Sequence, residues 1–253
     1  MNNLDLILGF LLLLIAAIFM LFRMLVPGKQ TGSSFRVIPA LESMRKAVYL
    51  SVEEGNRLHL SLGNSALVSP AFSSALVGFN AVEPMAQVSM LGDRPPVITS
   101  GDGGLAILSR DRLASVFRAG AAAQHDPLRS RLCGVTPTGY VLGAIPILRN
   151  EKVSTNILMG HFGAEVAVLG EVADRSESYM LGASDSPMAQ AVMYATTKDV
   201  LIGEELYALP AYLQSGRAFV ASVRTQDILR WILIVVMVGG AFARLILSLV
   251  GLQ

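Results

Sequence analysis

The strongest constraint on the fold of this chain is a pair of uncharged apolar stretches, one near each end. The first covers residues 6–22 (LILGFLLLLIAAIFMLF), and the second has an uninterrupted core at residues 231–243 (WILIVVMVGGAFA). About 20 apolar helical residues cross the ~30 Å hydrocarbon core of a bilayer. The pattern predicts transmembrane helices at residues 1–26 and 228–253. A cleaved signal peptide is the alternative for the first stretch, and an interfacial amphipathic helix is the alternative for the second.

Basic residues beside the two stretches predict the orientation of the chain in a cell membrane, because cytoplasmic flanks carry the excess of Lys and Arg. They are Arg23, Lys29, Arg36, Arg45 and Lys46 after the first stretch, and Arg217, Arg224 and Arg230 before the second. The outer tails have no basic residue apart from Arg244. We therefore expect both termini outside and the central region in the cytoplasm. The small residues Gly239, Gly240 and Ala243 would let a second helix approach closely, which favours a homo-oligomer in the bilayer.

Composition excludes several classes of protein. Hydrophobic residues make up 53% of the chain and charged residues 15%, which is incompatible with an intrinsically disordered chain. The net charge of +1 lacks the basic excess expected of a nucleic-acid-binding protein. A single cysteine, Cys133, excludes an internal disulfide framework.

The region between the stretches alternates short apolar runs with helix-length segments. After a linker at residues 27–39, a domain at residues 40–227 begins with an amphipathic helix at residues 40–54. The apolar runs lie at residues 58–62, 96–99, 132–135, 156–160, 179–181 and 200–202. Helix-like segments separate and follow them at residues 73–91, 109–124, 137–152, 164–175, 186–196 and 204–214. This alternation predicts a doubly wound α/β domain with a mostly parallel sheet of about six strands, and Pro84 and Pro146 predict kinks or earlier helix ends.

Three groups of residues carry a resemblance to a known family. They are Glu54-Gly55 leading into residues 59–63 (HLSLG), residues 159–165 (MGHFGAE), and residues 201–207 (LIGEELY) followed by residues 211–213 (AYL). The chain resembles an uncharacterised family of prokaryotic membrane-anchored α/β proteins, known only as a domain of unknown function. The resemblance implies the α/β fold and the membrane anchor, and it brings no established activity.

Candidate binding residues follow from the predicted fold, because ligands of open α/β sheets bind outside the carboxyl ends of the strands. The loops at those ends contain Gly63, Asn64 and Ser65; Gly101, Asp102 and Gly103; Gly160, His161, Gly163 and Glu165; Ser184 and Asp185; and Glu204 and Glu205. Small residues there admit a ligand close to the backbone, and free N–H groups favour a small anionic ligand. Helix capping and turn geometry are the alternative explanation for the same residues, and we favour it.

No catalytic signature accompanies these loops. The chain has no dinucleotide fingerprint, no Walker motif and no G-x-S-x-G elbow, so the motifs identify no metal site and leave any cofactor unknown. The acidic residues of the loops could hold Mg²⁺ or Ca²⁺ or serve acid–base chemistry. Carboxylates also stabilise the first turn of a helix, and we favour that explanation. Of the three histidines, only His161 lies in a candidate loop, and a structural hydrogen bond explains it as well. Cys133 is placed in a buried strand. The arginines between residues 110 and 131 could face anionic lipid headgroups, but we favour a solvated helix face for them. They are Arg110, Arg112, Arg118, Arg129 and Arg131.

Three hypotheses for function follow. The first is a membrane-tethered cytoplasmic domain that binds a partner or a small anionic ligand and self-associates. The second is an enzyme at the membrane surface that uses carboxylates at the carboxyl edge of the sheet. The third is a structural subunit of a larger membrane complex, for which a broad exposed apolar face would be the evidence.

Overall fold

The structure is a computed structural model that describes residues 3–25, 35–120, 127–213 and 215–249. Most of the predicted linker at residues 27–39, the end of the helix predicted at residues 109–124, and His125 lie outside these ranges. The described chain forms two compact units. One unit covers Arg36–Ser215, and the other combines the two terminal segments of the chain.

The helices and strands alternate along the first of these units, as the apolar runs predict. The helices are α1 (Asn3–Leu25), α2 (Pro39–Glu53), α3 (Phe72–Ser89), α4 (Gly103–Ala119), α5 (Pro137–Asn150), α6 (Val166–Arg175), α7 (Pro187–Thr196), α8 (Glu205–Tyr212) and α9 (Arg217–Leu249). The strands are β1 (Arg57–Gly63), β2 (Val97–Ser100), β3 (Ser130–Leu132), β4 (Val153–His161), β5 (Tyr179–Ser184) and β6 (Asp199–Leu201).

The six strands form one sheet in the order β3-β2-β1-β4-β5-β6, and every neighbouring pair is parallel. Helices α2, α3, α4 and α8 pack on one face around a core that includes Leu60 and Ile157. Helices α5, α6 and α7 pack on the other face around a core that includes Leu158 and Phe162. The predicted doubly wound α/β fold is confirmed for this unit.

The strand order reverses between β1 and β4, so the chain leaves these two strands in opposite directions. Such a reversal opens a crevice at the carboxyl ends of the two central strands, and this crevice is where open α/β sheets bind ligands. All seven residues of β1 are buried, as expected for the central strand of a sheet covered on both faces.

Strand β3 differs from its prediction. The predicted run at residues 132–135 is apolar, but the strand is Ser130–Leu132 and lies at the edge of the sheet. Edge strands are half exposed and tolerate polar residues, which explains why the apolar signal misplaced it. Cys133 therefore follows the strand instead of lying within a buried one. Its side chain is partly buried against Val97 and Ile147.

Two prolines do not end the helices that contain them. Pro84 lies inside α3 and Pro146 lies inside α5, and both helices continue for at least one further turn. The expectation of earlier helix ends at these residues is wrong. Proline is also tolerated inside α8, at Pro210.

The first and last residues of the α/β unit lie beside each other. The Tyr212 hydroxyl donates to the Arg36 carbonyl at 2.8 Å, and Arg45 Nη2 donates to the Tyr212 carbonyl at 2.8 Å. The residue Arg36 before α2 and the residue Arg45 within α2 thus both bond the last residue of α8, which brings the two ends of the unit together.

In the unit formed by the terminal segments, α1 contacts α9. Of the described residues, one helix segment, Arg217–Phe242, is long and apolar enough to cross a membrane. The helix begins eleven residues before the predicted start at residue 228, and its apolar side chains from Trp231 to Val238 are exposed. At the N-terminal end the described apolar stretch is Leu13–Phe22, which is shorter than a bilayer crossing requires.

Candidate functional site

All fourteen candidate residues lie at the carboxyl edge of the sheet, in the last residues of β1, β4 and β5 or in the loops and first helical turns that follow β1, β2, β4, β5 and β6. The loops after β1 and β4 meet at the reversal of strand order. Asn64 donates its backbone N–H to the His161 carbonyl at 2.9 Å, and Gly101 donates its N–H to the Gly63 carbonyl at 2.9 Å. The loops after β2, β1 and β4 are therefore joined side by side through their backbones.

Gly63 makes this close approach possible. Its φ of +70° lies in the left-handed region that favours glycine, and a Cβ at this position would lie 2.5 Å from the His161 carbonyl oxygen. A side chain would also force apart the loops after β1 and β4. Similarly, a Cβ at Gly101 would lie 2.6 Å from Asn64 Oδ1, so Asn64 packs directly on the β2 loop.

Several candidate side chains accept hydrogen bonds from backbone N–H groups. Asp102 is the N-cap of α4, and its Oδ1 accepts the Leu105 N–H at 2.9 Å. Glu165 Oε1 accepts the Gly163 N–H at 2.7 Å, in the turn before α6. The buried Ser184 hydroxyl accepts the N–H groups of Phe162 and Ser186, both at 3.3 Å. Helix capping therefore explains Asp102, and turn geometry explains the bond of Glu165.

His161 and Asp185 form a histidine–carboxylate pair among the candidate residues. His161 Nδ1 lies 2.8 Å from Asp185 Oδ1, across the ends of β4 and β5. The His161 side chain is 41% exposed, whereas the Asp185 side chain is 19% exposed. A carboxylate at Nδ1 orients the imidazole ring and leaves Nε2 directed to other partners, which is the arrangement that proton transfer by histidine requires.

Ser65 is buried without a hydrogen bond. The residue is 3% exposed, and its Oγ has no partner among the described residues. An unpaired buried hydroxyl costs about 1–3 kcal/mol relative to a satisfied one. Its position directly after Asn64 places this unsatisfied group in the loop that follows β1.

Glu204 and Glu205 lie at the β6 end of the carboxyl edge, next to the strand that ends in Ser184. They follow β6, and β5 separates that strand from β4. Over the described residues, no three His, Cys, Asp or Glu side chains are grouped so that they could hold a metal ion. The acidic residues of the edge are therefore distributed along it.

The carboxyl edge as a whole is acidic. Its acidic residues are Asp102, Glu165, Asp185, Glu204 and Glu205. The loops and first helical turns after the six strands, residues 63–74, 100–108, 133–140, 161–168, 184–190 and 201–208, contain no Lys or Arg. This distribution disfavours an anion at the edge, since only backbone N–H groups would balance its charge.

Exposed apolar side chains follow all six strands at the same edge, and sequence reasoning did not single them out. They are Leu67 and Val68 after β1, Ile107 after β2, Val135 after β3, Val168 after β4, Met188 after β5 and Ile202 after β6. Val68 is 96% exposed. Large apolar side chains on a surface mark sites of interaction when several share one region. The sequence signal that could have revealed them is the presence of apolar residues in the segments after strands, where helix caps and turns favour polar residues.

A buried polar network centred on His59 was also missed. His59 is fully buried in β1, with Nδ1 3.1 Å from Asn156 Oδ1 and Nε2 2.9 Å from Thr99 Oγ1. Asn156 Nδ2 donates to Ser178 Oγ at 2.9 Å, which assigns the proton of His59 to Nδ1. Nε2 then accepts the hydroxyl proton of Thr99.

The network continues to α5. Tyr140, which is buried between the sheet and α5, places its hydroxyl 2.8 Å from Thr99 Oγ1 and also bonds the Ser61 hydroxyl. Burial lowers the pKa of His59 to about 4, against a smaller opposing effect of its hydrogen bond with Asn156. Burial also raises the pKa of Tyr140 well above its usual range. Both groups are neutral near pH 7, and the network holds β2, β1 and β4 together through uncharged bonds.

Comparison with known proteins places the chain in one family. A family model described as "Domain of unknown function (DUF6754)" matches residues 1–252. No curated protein and no solved structure shows significant similarity to the chain.

Proposed function

Since the chain belongs to the DUF6754 family of unknown function, we propose a function from its own residues: it is a membrane-tethered α/β module that binds a partner protein at the carboxyl edge of its sheet. The partner presents a segment with basic and apolar side chains. The observation that carries this proposal is the pairing of an acidic, Lys- and Arg-free edge with exposed apolar residues.

Charge and apolar area support the proposal in different ways. Acidic residues along the edge attract a basic segment over roughly one Debye length, about 8–10 Å at physiological salt. Side chains such as Val68 and Met188 then lose contact with water when the partner binds, which supplies affinity. The small anionic ligand expected from these loops is a weaker proposal, because it would meet carboxylates at this edge.

The tether is the helix segment Arg217–Phe242, whose apolar side chains are exposed. We propose that it spans the cell membrane, that α1 spans it as well, and that both termini lie outside with the α/β unit in the cytoplasm. The support for this orientation is the basic excess after the first apolar stretch and before the second.

Self-association through α9 is part of the proposal. Gly239 and Gly240 leave open space on the helix, since a Cβ at either residue would contact nothing within 4 Å. The side chain of Ala243 lies outside the described part of the chain. Gly240→Leu should convert the oligomer to a monomer in native mass spectrometry in detergent, and Val236→Leu is the matched control on an exposed apolar residue.

Site-specific photo-crosslinking tests the partner. A photoreactive residue at Val68 should give a discrete adduct in native membranes, and one at Leu91, which is exposed at the opposite end of α3, should not. The adduct at Val68 should decrease several-fold with Glu205→Gln and at 0.5 M NaCl, since both weaken attraction to a basic segment. The crosslinked peptide, identified by mass spectrometry, should carry Lys or Arg beside apolar residues.

Equal adducts at Val68 and Leu91 would exclude a partner at the carboxyl edge. So would a crosslinked peptide with net acidic character. An adduct with an integral membrane subunit, insensitive to salt, would instead support a structural role in a larger membrane complex.

The His161–Asp185 pair favours a second function, an enzyme in which His161 accepts a proton at Nε2. Asp185 would hold the ring and stabilise the imidazolium form. Asp102 and Glu165, which are engaged in capping or in a turn, would then have no chemical role.

A hydrolase screen with ester and phosphoester substrates tests this function. An activity lost in both His161→Gln and Asp185→Asn but retained in Asp102→Asn would establish it, and no turnover by the unaltered protein of any substrate would reject it.

A further inference from the structure

The amino edge of the sheet carries a cluster of arginines around one carboxylate. Glu151, at the end of α5, accepts from Arg57 through Oε2 and from Arg131 through Oε1. Arg129 Nη1 lies 3.5 Å from Glu151 Oε2. Arg57 begins β1 and Arg131 lies in β3, so the guanidinium groups come from two strands and meet at the start of the sheet. The interpretation of Arg129 and Arg131 as part of a solvated helix face is therefore wrong.

A fourth arginine has no ion-pair partner among the described residues. Arg94, in the turn before β2, makes no hydrogen bond or ion pair within the described chain, and it is half-buried. Its charge lies close enough to Arg57 to lower the pKa of that guanidinium, after the larger effects of burial and of Arg129. Among the groups that act on Arg57, Glu151 is the one acidic residue.

Positive charge therefore exceeds negative charge at this cluster. Even with Arg129 left out of the count, Arg57, Arg94 and Arg131 stand against the single charge of Glu151. Arg57 is 8% exposed, so solvent screens it poorly. Uncompensated charge that is partly buried is costly, and an anion in contact with the cluster would remove that cost.

We propose that this arginine cluster at the amino edge is a binding site for a phosphate-type oxyanion. Guanidinium groups bind such oxyanions through paired N–H donors in a planar fork, and they stay charged at all physiological pH values. The site is distinct from the carboxyl edge, where the loops contain no Lys or Arg. The oxyanion belongs either to a free phosphate or phosphate ester, or to the headgroup of an anionic lipid.

Thermal unfolding of the full chain in detergent tests the site. Potassium phosphate, added at constant ionic strength maintained with KCl, should raise the Tm by several degrees and saturate in the millimolar range. Arg94→Gln and Arg131→Gln should each weaken phosphate binding about tenfold, because each removes a charge-assisted contact. Arg175→Gln is the matched control, since Arg175 is 68% exposed and pairs with Glu171 away from the cluster.

Replacement of the internal carboxylate gives an independent measurement. Glu151→Gln should lower the Tm in KCl, because the arginines lose their counter-ion, and it should enlarge the rise produced by phosphate. A rise no larger than that of the unaltered protein would contradict the site. If Arg131→Gln does not fold, Arg94→Gln decides the result, since Arg94 makes no hydrogen bond or ion pair within the described chain.

Micelles that contain phosphatidylglycerol, compared with micelles that contain phosphatidylcholine, distinguish the two sources. A rise in Tm with phosphatidylglycerol alone, abolished by Arg94→Gln, identifies a lipid headgroup, and a rise with inorganic phosphate identifies a free ligand. The proposal is overturned if neither raises the Tm above that in KCl. An equal rise in Arg94→Gln also overturns it, because phosphate would then act only by general stabilisation.

Discussion

Gly63 and Gly55 allow two contributions to stability to be measured separately: the strain of a left-handed backbone conformation and the steric clash of an added side chain. Both have φ in the left-handed region, +70° and +66°, but only Gly63 packs against the backbone of a neighbouring strand. Gly55→Ala should reduce the free energy of unfolding by about 1 kcal/mol, the strain of a side chain in this conformation. Gly63→Ala should cost about 3 kcal/mol or more, because the loops after β1 and β4 must also separate. Denaturant titration of both variants is the measurement, and equal costs would show that the two loops separate freely.

His59 should make stability depend on pH below neutrality. Its folded-state pKa of about 4 lies below its ordinary value of 6.5, so the unfolded chain takes up a proton in this interval and the folded chain does not. The stabilisation is complete above pH 6.5 and is lost as the pH falls from 6.5 to 4, by about 3 kcal/mol.

The variant His59→Gln isolates this effect. Denaturant titrations at pH 7 and pH 4.5 should show a smaller loss of stability in His59→Gln than in the unaltered protein. In parallel, NMR of histidines labelled with 15N should show one imidazole that does not titrate above pH 5. A normal titration of all three histidines would disprove the buried neutral state.

The sequence predicted those site residues whose place is fixed by following a strand directly in the chain. His161, Asp102 and Glu165 were found because each follows an apolar run. The partners of His59 were not, since Thr99, Asn156 and Tyr140 come from three elements distant in sequence and meet only in the folded sheet. Arg129 and Arg131 were singled out, but their cluster with Arg57 and Glu151 was not, because Arg57 and Glu151 are brought together by the pairing of β1 with β4.

Among the elements, α4 offers a direct test of capping against chemistry. Asp102→Ala should destabilise the protein by about 1 kcal/mol, because the Leu105 N–H loses its acceptor, whereas Asp102→Asn should be nearly neutral, since an amide oxygen also caps a helix. Thermal unfolding in detergent measures both. A large loss in Asp102→Asn would mean that the negative charge itself is required, which capping alone does not explain.

The accuracy with which each element's boundaries were predicted depended on how the element is buried and capped. Strand β1 was predicted within one residue at each end because a buried central strand is apolar throughout. Helix α4 begins at Gly103, six residues before its prediction, since Gly103 and Gly104 are typical of a loop and only the Asp102 cap reveals the helix start. Strand β3 was displaced because its edge position removes the apolar signal.

For the whole molecule, the single cysteine permits a clean test of membrane topology. Burial raises the pKa of the Cys133 thiol to about 11, so this thiol should be unreactive towards maleimide at pH 7 in the folded protein. In a Cys133→Ala background, single cysteines at Asn2, Tyr194 and Gln253 then report three parts of the chain.

In intact cells, a membrane-impermeant maleimide should label the cysteines at residues 2 and 253 and spare the one at Tyr194. Labelling at residue 253 without labelling at residue 2 would leave α9 as the one span, because the N-terminus would then share a side with the α/β unit. Labelling of the cysteine at Tyr194 would place the unit outside and reverse the predicted orientation.

The hydrogen bond between Tyr212 and Arg36 has a consequence for how the chain can be rearranged. Because its first and last residues are adjacent, the α/β unit has the connectivity of a domain inserted between two neighbouring points of a chain. Its ends could be joined by a few glycines and new termini opened in an exposed turn, such as the one at Gly203, without breaking a strand. The same geometry would allow the unit to be transplanted into a hairpin of another protein, or a different domain to be carried in its place between the terminal helices of this one.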